Sequence, residues 1–390
     1  MSPPAPPRLR IAVLNRVFDN TGGGAERYSI ALVEQLAQRH DVHVFAQQIN
    51  HHAPGVAYHP VAILLRKPRW LNQLWYAFAT WKATRTGFDI VHSHENTWHG
   101  QIQTVHVVPV RHNLFQGRTG LRRGLRWLKV VTSPRLVTYL ILESLRFRRL
   151  SGRRVVVTSA SLGETMAATY PDSQGMTSVL TPGVHLPALP RGAGSKAQAR
   201  QELGLPAEGL CLLFVGNDYR KKGLTTLLQV LAELPAQVVL AVVGNPAHIP
   251  EFRRQAESLG LAPRVFFLGP LQDVSPAYRA ADALVHPTLE DTFAMVVLEA
   301  MAHGLPVVVS NAAYCGISGL LTHGVNALLV DEPRSMQALG SVVGQVCGDA
   351  DLRRELGEQA RVFAQGYGWG DIARQQEALY FASLASAPVS

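Results

Sequence analysis

One stretch narrows the choice of fold more than any other: Ala281 to Ser310, A-D-A-L-V-H-P-T-L-E-D-T-F-A-M-V-V-L-E-A-M-A-H-G-L-P-V-V-V-S. Ala283 to His286 is a short apolar run closed by Pro287, as suits a buried parallel strand. Thr288 to Thr292 is a polar, acidic loop. Phe293 to His303 has helical periodicity, with Met295, Leu298 and Ala302 on one face, and Gly304 and Pro306 supply the stop. Val307 to Val309 is the next buried strand. A strand feeding a helix through such a loop points backbone N–H groups of Ala294, Met295 and Val296 at whatever lies beyond the sheet, where they can hold phosphate or sugar oxygens. Asp291 and Glu299, eight positions apart, can accept hydrogen bonds from sugar or ribose hydroxyls. The plainer reading makes Asp291 a helix cap and Glu299 a solvated charge.

The same alternation recurs along the chain. Arg10 to Val17 reads as a strand, N-T-G-G-G-A-E-R-Y (Asn20 to Tyr28) as a glycine-rich turn opening a helix through Leu36, and Asp41 to Ala46 as a second strand. This is a βαβ unit of Rossmann type. The G-x-G-x-x-G fingerprint is missing, so no NAD site is expected. Leu186 to Arg200, rich in Pro, Gly and Ser, reads as a linker. A second α/β domain then opens with L-C-L-L-F-V-G, Leu210 to Gly216. The loop N-D-Y-R-K-K-G-L, Asn217 to Leu224, places Arg220 and Lys222 beside a helix start, a pattern suited to a diphosphate. A solvated basic turn is the alternative.

Charge is unevenly shared. Residues 1–184 carry 22 Lys+Arg against 9 Asp+Glu, and the remainder 15 against 19. The first half therefore suits an anionic partner. Its basic residues are not interleaved with a stacking aromatic platform, which disfavours nucleic acid and favours an anionic membrane surface. Between 118 and 154, eleven basic residues (Arg118, Arg122, Arg123, Arg126, Lys129, Arg135, Arg146, Arg148, Arg149, Arg153 and Arg154) face one acid, Glu143. Leu121, Leu125 and Leu128 line a helical face beside Arg122, Arg126 and Lys129, a pattern that lies in the plane of an interface. Trp70, Trp75 and Trp81 would supply anchors. The chain shows no secretory signal and no apolar run of spanning length. Three scattered cysteines fit a reducing cytosol. A cytoplasmic protein, peripheral on the inner face of the membrane, is the expectation.

Among 15 histidines, His106 stands out because it ends the strand Ile102 to Val105, where open α/β sheets place their sites. His92 and His94 share a strand face, but two ligands without a third are poor grounds for a metal.

The stretch Asp291-T-F-A-M-V-V-L-Glu299, followed by A-M-A-H-G-L-P-V-V, resembles the nucleotide-sugar motif of retaining family-four glycosyltransferases of GT-B fold. Lys222-Gly223, Gly23, Gly24 and Glu26 of the first loop, V-L-T-P-G-V (Val179 to Val184) and H-G-V-N-A-L-L-V (His323 to Val330) also match the family's patterns. Lipopolysaccharide-core glucosyltransferases are similar in the Asn217–Leu224 loop. The chain departs from the family at two points: the first acid, usually Glu, is Asp291 with Glu290 beside it, and the first Arg of the basic loop is Asn217. The resemblance implies that Asp291 serves the donor sugar and Glu299 its ribose, with Glu290 and Phe293 in the same loop. It implies that Leu268 contacts the base through its backbone, and that His106 lies against the donor sugar.

The fold implied is two Rossmann-like α/β domains facing each other across a cleft. They comprise residues 1–184 with a C-terminal helix of 371–390 returning to them, and 185–370. The function implied is retaining transfer of a sugar from a nucleotide-diphospho-sugar, UDP favoured, to a lipid-linked, polysaccharide or lipopolysaccharide acceptor. His106, Lys222 and Asp291 are the catalytic candidates, and no metal or other cofactor is called for. A silent nucleotide-sugar binder and a same-fold epimerase are the rivals.

Overall fold

A computed structural model describes residues 7–19, 23–188 and 194–386. The chain divides into two compact units, residues 1–181 with 369–390, and residues 182–368. Asn20 to Gly22 of the first glycine-rich turn lie outside the described residues.

The first unit is built on a seven-stranded parallel sheet. Its strands, in spatial order, are Val56–Pro60, Asp41–Ala46, Arg10–Leu14, Ile90–Ser93, Ile102–Val105, Arg154–Val157 and Thr177–Val179. The central strands are buried on both faces, as helices on either side of a parallel sheet require, and two of them carry buried polar residues, His92 and Ser93 in Ile90–Ser93 and Gln103 and Thr104 in Ile102–Val105. The first strand ends at Leu14; Val17, read as its last residue, instead pairs with Gln48 in a separate ribbon, where Phe18 pairs with Ile49. The last helix, Trp369–Ala385, packs on Gly24–Leu36 of this unit. Glu377 receives Arg39 Nε at 2.7 Å and lies 3.0 Å from His40 Nε2, and the Tyr380 hydroxyl meets His92 Nδ1 at 2.7 Å. The chain thus returns to its N-terminal domain through buried polar bonds as well as apolar contact.

The second unit is a six-stranded parallel sheet: Val265–Gly269, Val238–Gly244, Leu210–Gly216, Ala283–His286, Val307–Ser310 and Leu328–Val330. In chain order these are strands 3-2-1-4-5-6, the doubly wound order, whose direction of winding reverses between Leu210–Gly216 and Ala283–His286. Two loops leave the carboxyl ends of those strands, where open α/β sheets place their ligands. They are the Asn217–Gly223 and Pro287–Ala294 loops.

Two expectations need correction. Part of the supposed linker is helix, Gly194–Glu202, anchored by Arg200 through the Ala280 carbonyl at 3.0 Å and the Asp282 carboxylate at 2.8 Å. The basic segment 118–154 is not one surface. Its helices are Gly120–Val131 and Pro134–Arg146. Arg146 is buried and donates to Gln103 Oε1 (2.9 Å) and the Thr104 carbonyl (2.6 Å). Arg153 is buried and donates to the carbonyls of Leu145, Arg146 and Trp98. Both guanidiniums knit helix to sheet. Glu143, the lone acid, is buried too and accepts from the Val110 and Arg111 amides and the Tyr170 hydroxyl.

Candidate functional site

In the second unit the switch point gathers the residues that sequence spacing singled out. Gly216 ends the first strand, and Lys222 follows one loop later with its stem across it. A Cβ on Gly216 would stand 2.9 Å from Lys222 Cγ. Gly223 then turns the chain into the helix Leu224–Glu233 at φ 80°, with its Cα so close to the neighbouring loop that a Cβ would lie 2.0 Å from the Pro287 carbonyl oxygen. Only glycine fits there on both counts. The Lys-Gly pair is therefore geometry as well as charge: Gly223 presses the basic loop onto the acidic one.

Lys222 Nζ lies 2.6 Å from Asp291 Oδ2 and donates to the Glu290 carbonyl at 3.1 Å. Asp291 Oδ1 accepts the amides of Phe293 (3.2 Å) and Ala294 (2.9 Å). The expected helix from Phe293 begins later, at Met295, because Ala294 adopts φ 72°, ψ 71° as its N-cap residue. Backbone bonds from Asp291 N to the Tyr314 carbonyl (2.8 Å) and from Gly316 N to the Asp291 carbonyl (3.0 Å) pin the loop. His286, which the sequence reading overlooked, ends the strand with Nε2 at 3.3 Å from Asp291 Oδ2. Burial alone would raise the Asp291 carboxyl, but the His286 hydrogen bond and the Lys222 charge hold it well below the usual carboxylate range. Burial lowers the His286 imidazole despite the carboxylate beside it.

Glu299 is not simply a solvated charge. It is half-buried on the helix Met295–Ala302, and its Oε2 accepts the Tyr278 hydroxyl at 2.8 Å. Arg220 is exposed and paired with Glu251, 2.6 Å from Nη2 to Oε1. Glu290 projects its side chain outward, 3.9 Å from Lys221. Met295 and Val296 form the first turn after the Ala294 cap. Leu268 sits in the strand Val265–Gly269, two strands from Lys222. The structure thus joins Lys222, Glu290 and Asp291 directly, with Glu299 further along the same helix.

In the first unit, Gly23 is the N-cap residue and Gly24 the first residue of the helix Gly24–Leu36. His106 closes a stack of three imidazoles at the carboxyl edge of the sheet. Its Nε2 is 2.9 Å from His94 Nδ1, the two rings lie 11° from parallel, and His94 stacks on His92 at 4.4 Å. His92 bonds Thr104 Oγ1 at 2.7 Å as well as Tyr380. Tyr28 packs edge-on against both His106 and Trp369. Burial, with the Arg146 guanidinium adding, pushes His106 down to about 3. Burial, with His106 and Arg146, does the same to His92, to about 3. The imidazoles are neutral at pH 7, so His106 is a hydrogen-bonding ring and not a cation. The position of His106 and the shared face of His92 and His94 were legible from sequence; the joining of the three rings in one stack was not.

Asp349, which with Asp351 forms an Asp-Ala-Asp sequence, caps the helix Ala350–Gln365 through the Leu352 amide at 2.9 Å.

Comparison with known proteins places both units. Residues 22–186 match the model of Glycosyltransferase Family 4, and residues 195–363 match that of Glycosyl transferases group 1. The D-inositol 3-phosphate glycosyltransferase of Xylanimonas cellulosilytica is 31% identical over 229 residues, 56% of this chain and 54% of that protein. Its namesake from Corynebacterium kroppenstedtii is 29% identical over 250 residues, 60% and 54%. The matched region thus spans about half the length of these relatives. Among solved structures, WaaG, a glycosyltransferase involved in lipopolysaccharide biosynthesis, superposes with a TM-score of 0.80 at 22% identity, covering 97% of this chain and 100% of its own. Anabaena HepE in complex with UDP and glucose superposes with a TM-score of 0.76 at 19% identity, covering 96% and 100%. These likenesses establish the GT-B fold.

Proposed function

The chain belongs to the glycosyltransferases that combine a family-four domain with a group 1 domain, and from that premise we propose that it transfers a sugar, with retention, from a nucleotide-diphospho-sugar to an acceptor. The observation that carries this reading is Lys222, held at the switch point of the second sheet by one carbonyl oxygen and one carboxylate oxygen. A fixed ammonium there neutralises charge as it builds on the departing diphosphate, and costs no reorganisation when the bond breaks. Glu299, braced by Tyr278, accepts from the ribose. His106 offers a neutral ring to the donor sugar. Leaving-group oxygen, on the same face as the acceptor, takes the acceptor's proton. Most of the rate then comes from electrostatics and positioning.

UDP is the favoured base, in keeping with the nucleotide bound to the structural neighbour HepE. A thermal-shift screen against UDP, GDP and ADP, each with and without its sugar, tests this: one base should stabilise the fold and the others should not.

The acceptor is lipid-linked, presented at an anionic membrane surface on which the protein docks peripherally. Support comes from the helix Gly120–Val131, in which only Val130 is buried. Leu121, Leu125 and Leu128 are 80%, 59% and 60% exposed on a stripe flanked by Arg122, Arg126 and Lys129. A soluble protein rarely leaves such a stripe to water without a use for it. Among the described residues, no helix is long and apolar enough to cross a membrane.

A further inference from the structure

We propose, resting on the donor-site reading above, that Asp291 is a positioning residue for Lys222, and that it does not accept a hydroxyl of the donor sugar. An ionised carboxylate offers about four acceptor positions. Here all are taken: Oδ1 by the amides of Phe293 and Ala294 at 3.2 and 2.9 Å, Oδ2 by Lys222 Nζ at 2.6 Å and by His286 Nε2 at 3.3 Å. The two amide bonds are fixed by the turn, because Ala294 is left-handed and the loop is pinned to Tyr314 and Gly316 on its other side. A sugar hydroxyl would have to displace Lys222 or His286.

Neither partner is easily displaced. His286 is 1% exposed. A carboxylate can only accept, so Nε2 carries the ring proton and Nδ1 is a bare lone pair, buried without a partner. Turning that ring, or protonating it, would bury an unpaired N–H. Lys222 has its stem across Gly216 and its ammonium on two oxygens. Three ammonium protons less two leave one for a ligand anion. The arrangement also explains why this position holds Asp. A carboxylate one methylene from the backbone can reach the amides two and three residues on, while Glu would carry it past them. His286, Asp291 and Lys222 therefore form one relay of orientation that ends on the diphosphate.

The test is calorimetric titration of the full chain with UDP, GDP and ADP, each alone and with glucose attached. For the base that binds, Asp291→Asn should shift Kd at least about fivefold, in the same sense and within about threefold of each other for the bare diphosphate and the sugar-bearing donor. In a Lys222→Met background the same substitution should shift Kd by less than about twofold, because the two side chains act as one unit. His286→Leu, which keeps the packing and removes the N–H, should repeat the pattern at about two- to fivefold, and it carries the test if melting shows the Asn variant unfolded. A loss confined to the glucose-bearing donor, no shift with either ligand, or a shift that persists without Lys222 would overturn the assignment. A wild-type chain that binds none of the three diphosphates sinks the donor-site reading itself, a distinct result.

Discussion

Reversing Arg122, Arg123 and Arg126 to Glu should detach the protein from anionic membranes, and the structure fixes how strongly. The helix Gly120–Val131 carries four cations, and each contributes about 1 kcal/mol near an anionic surface. Removing three costs about 3 kcal/mol, and the repulsion of three new carboxylates adds up to a similar amount. The loss is therefore roughly two to four orders of magnitude in partition. The leucine stripe contributes independently. Full burial of one leucine side chain is worth about 1.5–3 kcal/mol. With Leu121, Leu125 and Leu128 more than half exposed, docking recovers most of that, on the order of 3–6 kcal/mol in all. Charge and apolar area are thus comparable, and Leu121, Leu125 and Leu128 changed together to Ser should be as damaging as the charge reversal but insensitive to salt. Sedimentation with vesicles of graded anionic lipid, at low and physiological salt, reads both. These side chains make few internal contacts, so neither variant should change the melting temperature or nucleotide binding. Binding that ignores lipid charge, or no binding at low salt, would refute the reasoning and leave a soluble acceptor.

Glu299→Ala should weaken nucleotide binding by roughly ten- to a hundredfold, the loss of a charge-assisted hydrogen bond of about 1.5–3 kcal/mol, as read by calorimetry. Asp291→Glu should lower stability modestly because the longer side chain loses the Phe293 and Ala294 amides, and should leave the ranking of donor sugars unchanged; an altered ranking in a donor-competition assay would restore a sugar contact to this residue. Gly223→Ala should cost more than 1 kcal/mol of unfolding free energy in denaturant titration, since it meets both a φ of 80° and a backbone oxygen 2.0 Å from the new Cβ. The buried imidazoles make stability pH-dependent. His92 and His106 have folded values near 3, below the unfolded value of about 6.5, so the unfolded chain takes up protons first as pH falls. Their contribution is full above about pH 6.5 and is lost on descent toward pH 3, at up to about 1.4 kcal/mol per histidine per pH unit. Denaturant midpoints measured from pH 7.5 to 4.5 should fall less steeply in a His92→Gln variant.

Much of this architecture was legible because it is local. Apolar runs such as Leu210–Gly216 and Val238–Gly244 can only be doubly covered strands, and the glycines and prolines after them mark the turns. Asp291 and Lys222 could be singled out from their places at helix starts. Their contact, across 69 residues, could not, because it depends on strand order: the first and fourth strands of the sheet become neighbours only when the winding reverses. The same reason hid the Tyr278 bond to Glu299, the pairing of Arg220 with Glu251, and the imidazole stack, whose members come from adjacent strands. Charge counting misled at Arg146 and Arg153, since a guanidinium that caps carbonyls inside the fold is indistinguishable in sequence from one facing solvent. The late start of the helix at Met295 was hidden because an alanine gives no warning of a left-handed conformation.

The central claim is that this chain cleaves a nucleotide-sugar at a diphosphate site built on Lys222. Its most direct test is to incubate the full chain with UDP-, GDP- and ADP-sugars in the absence of acceptor and follow release of the nucleoside diphosphate. Slow release from donors of one base is the predicted result. Lys222→Ala should abolish that release while weakening donor affinity far less, because leaving-group charge grows toward the transition state. Tight donor binding without release from any of them, or release that Lys222→Ala leaves untouched, would contradict the account.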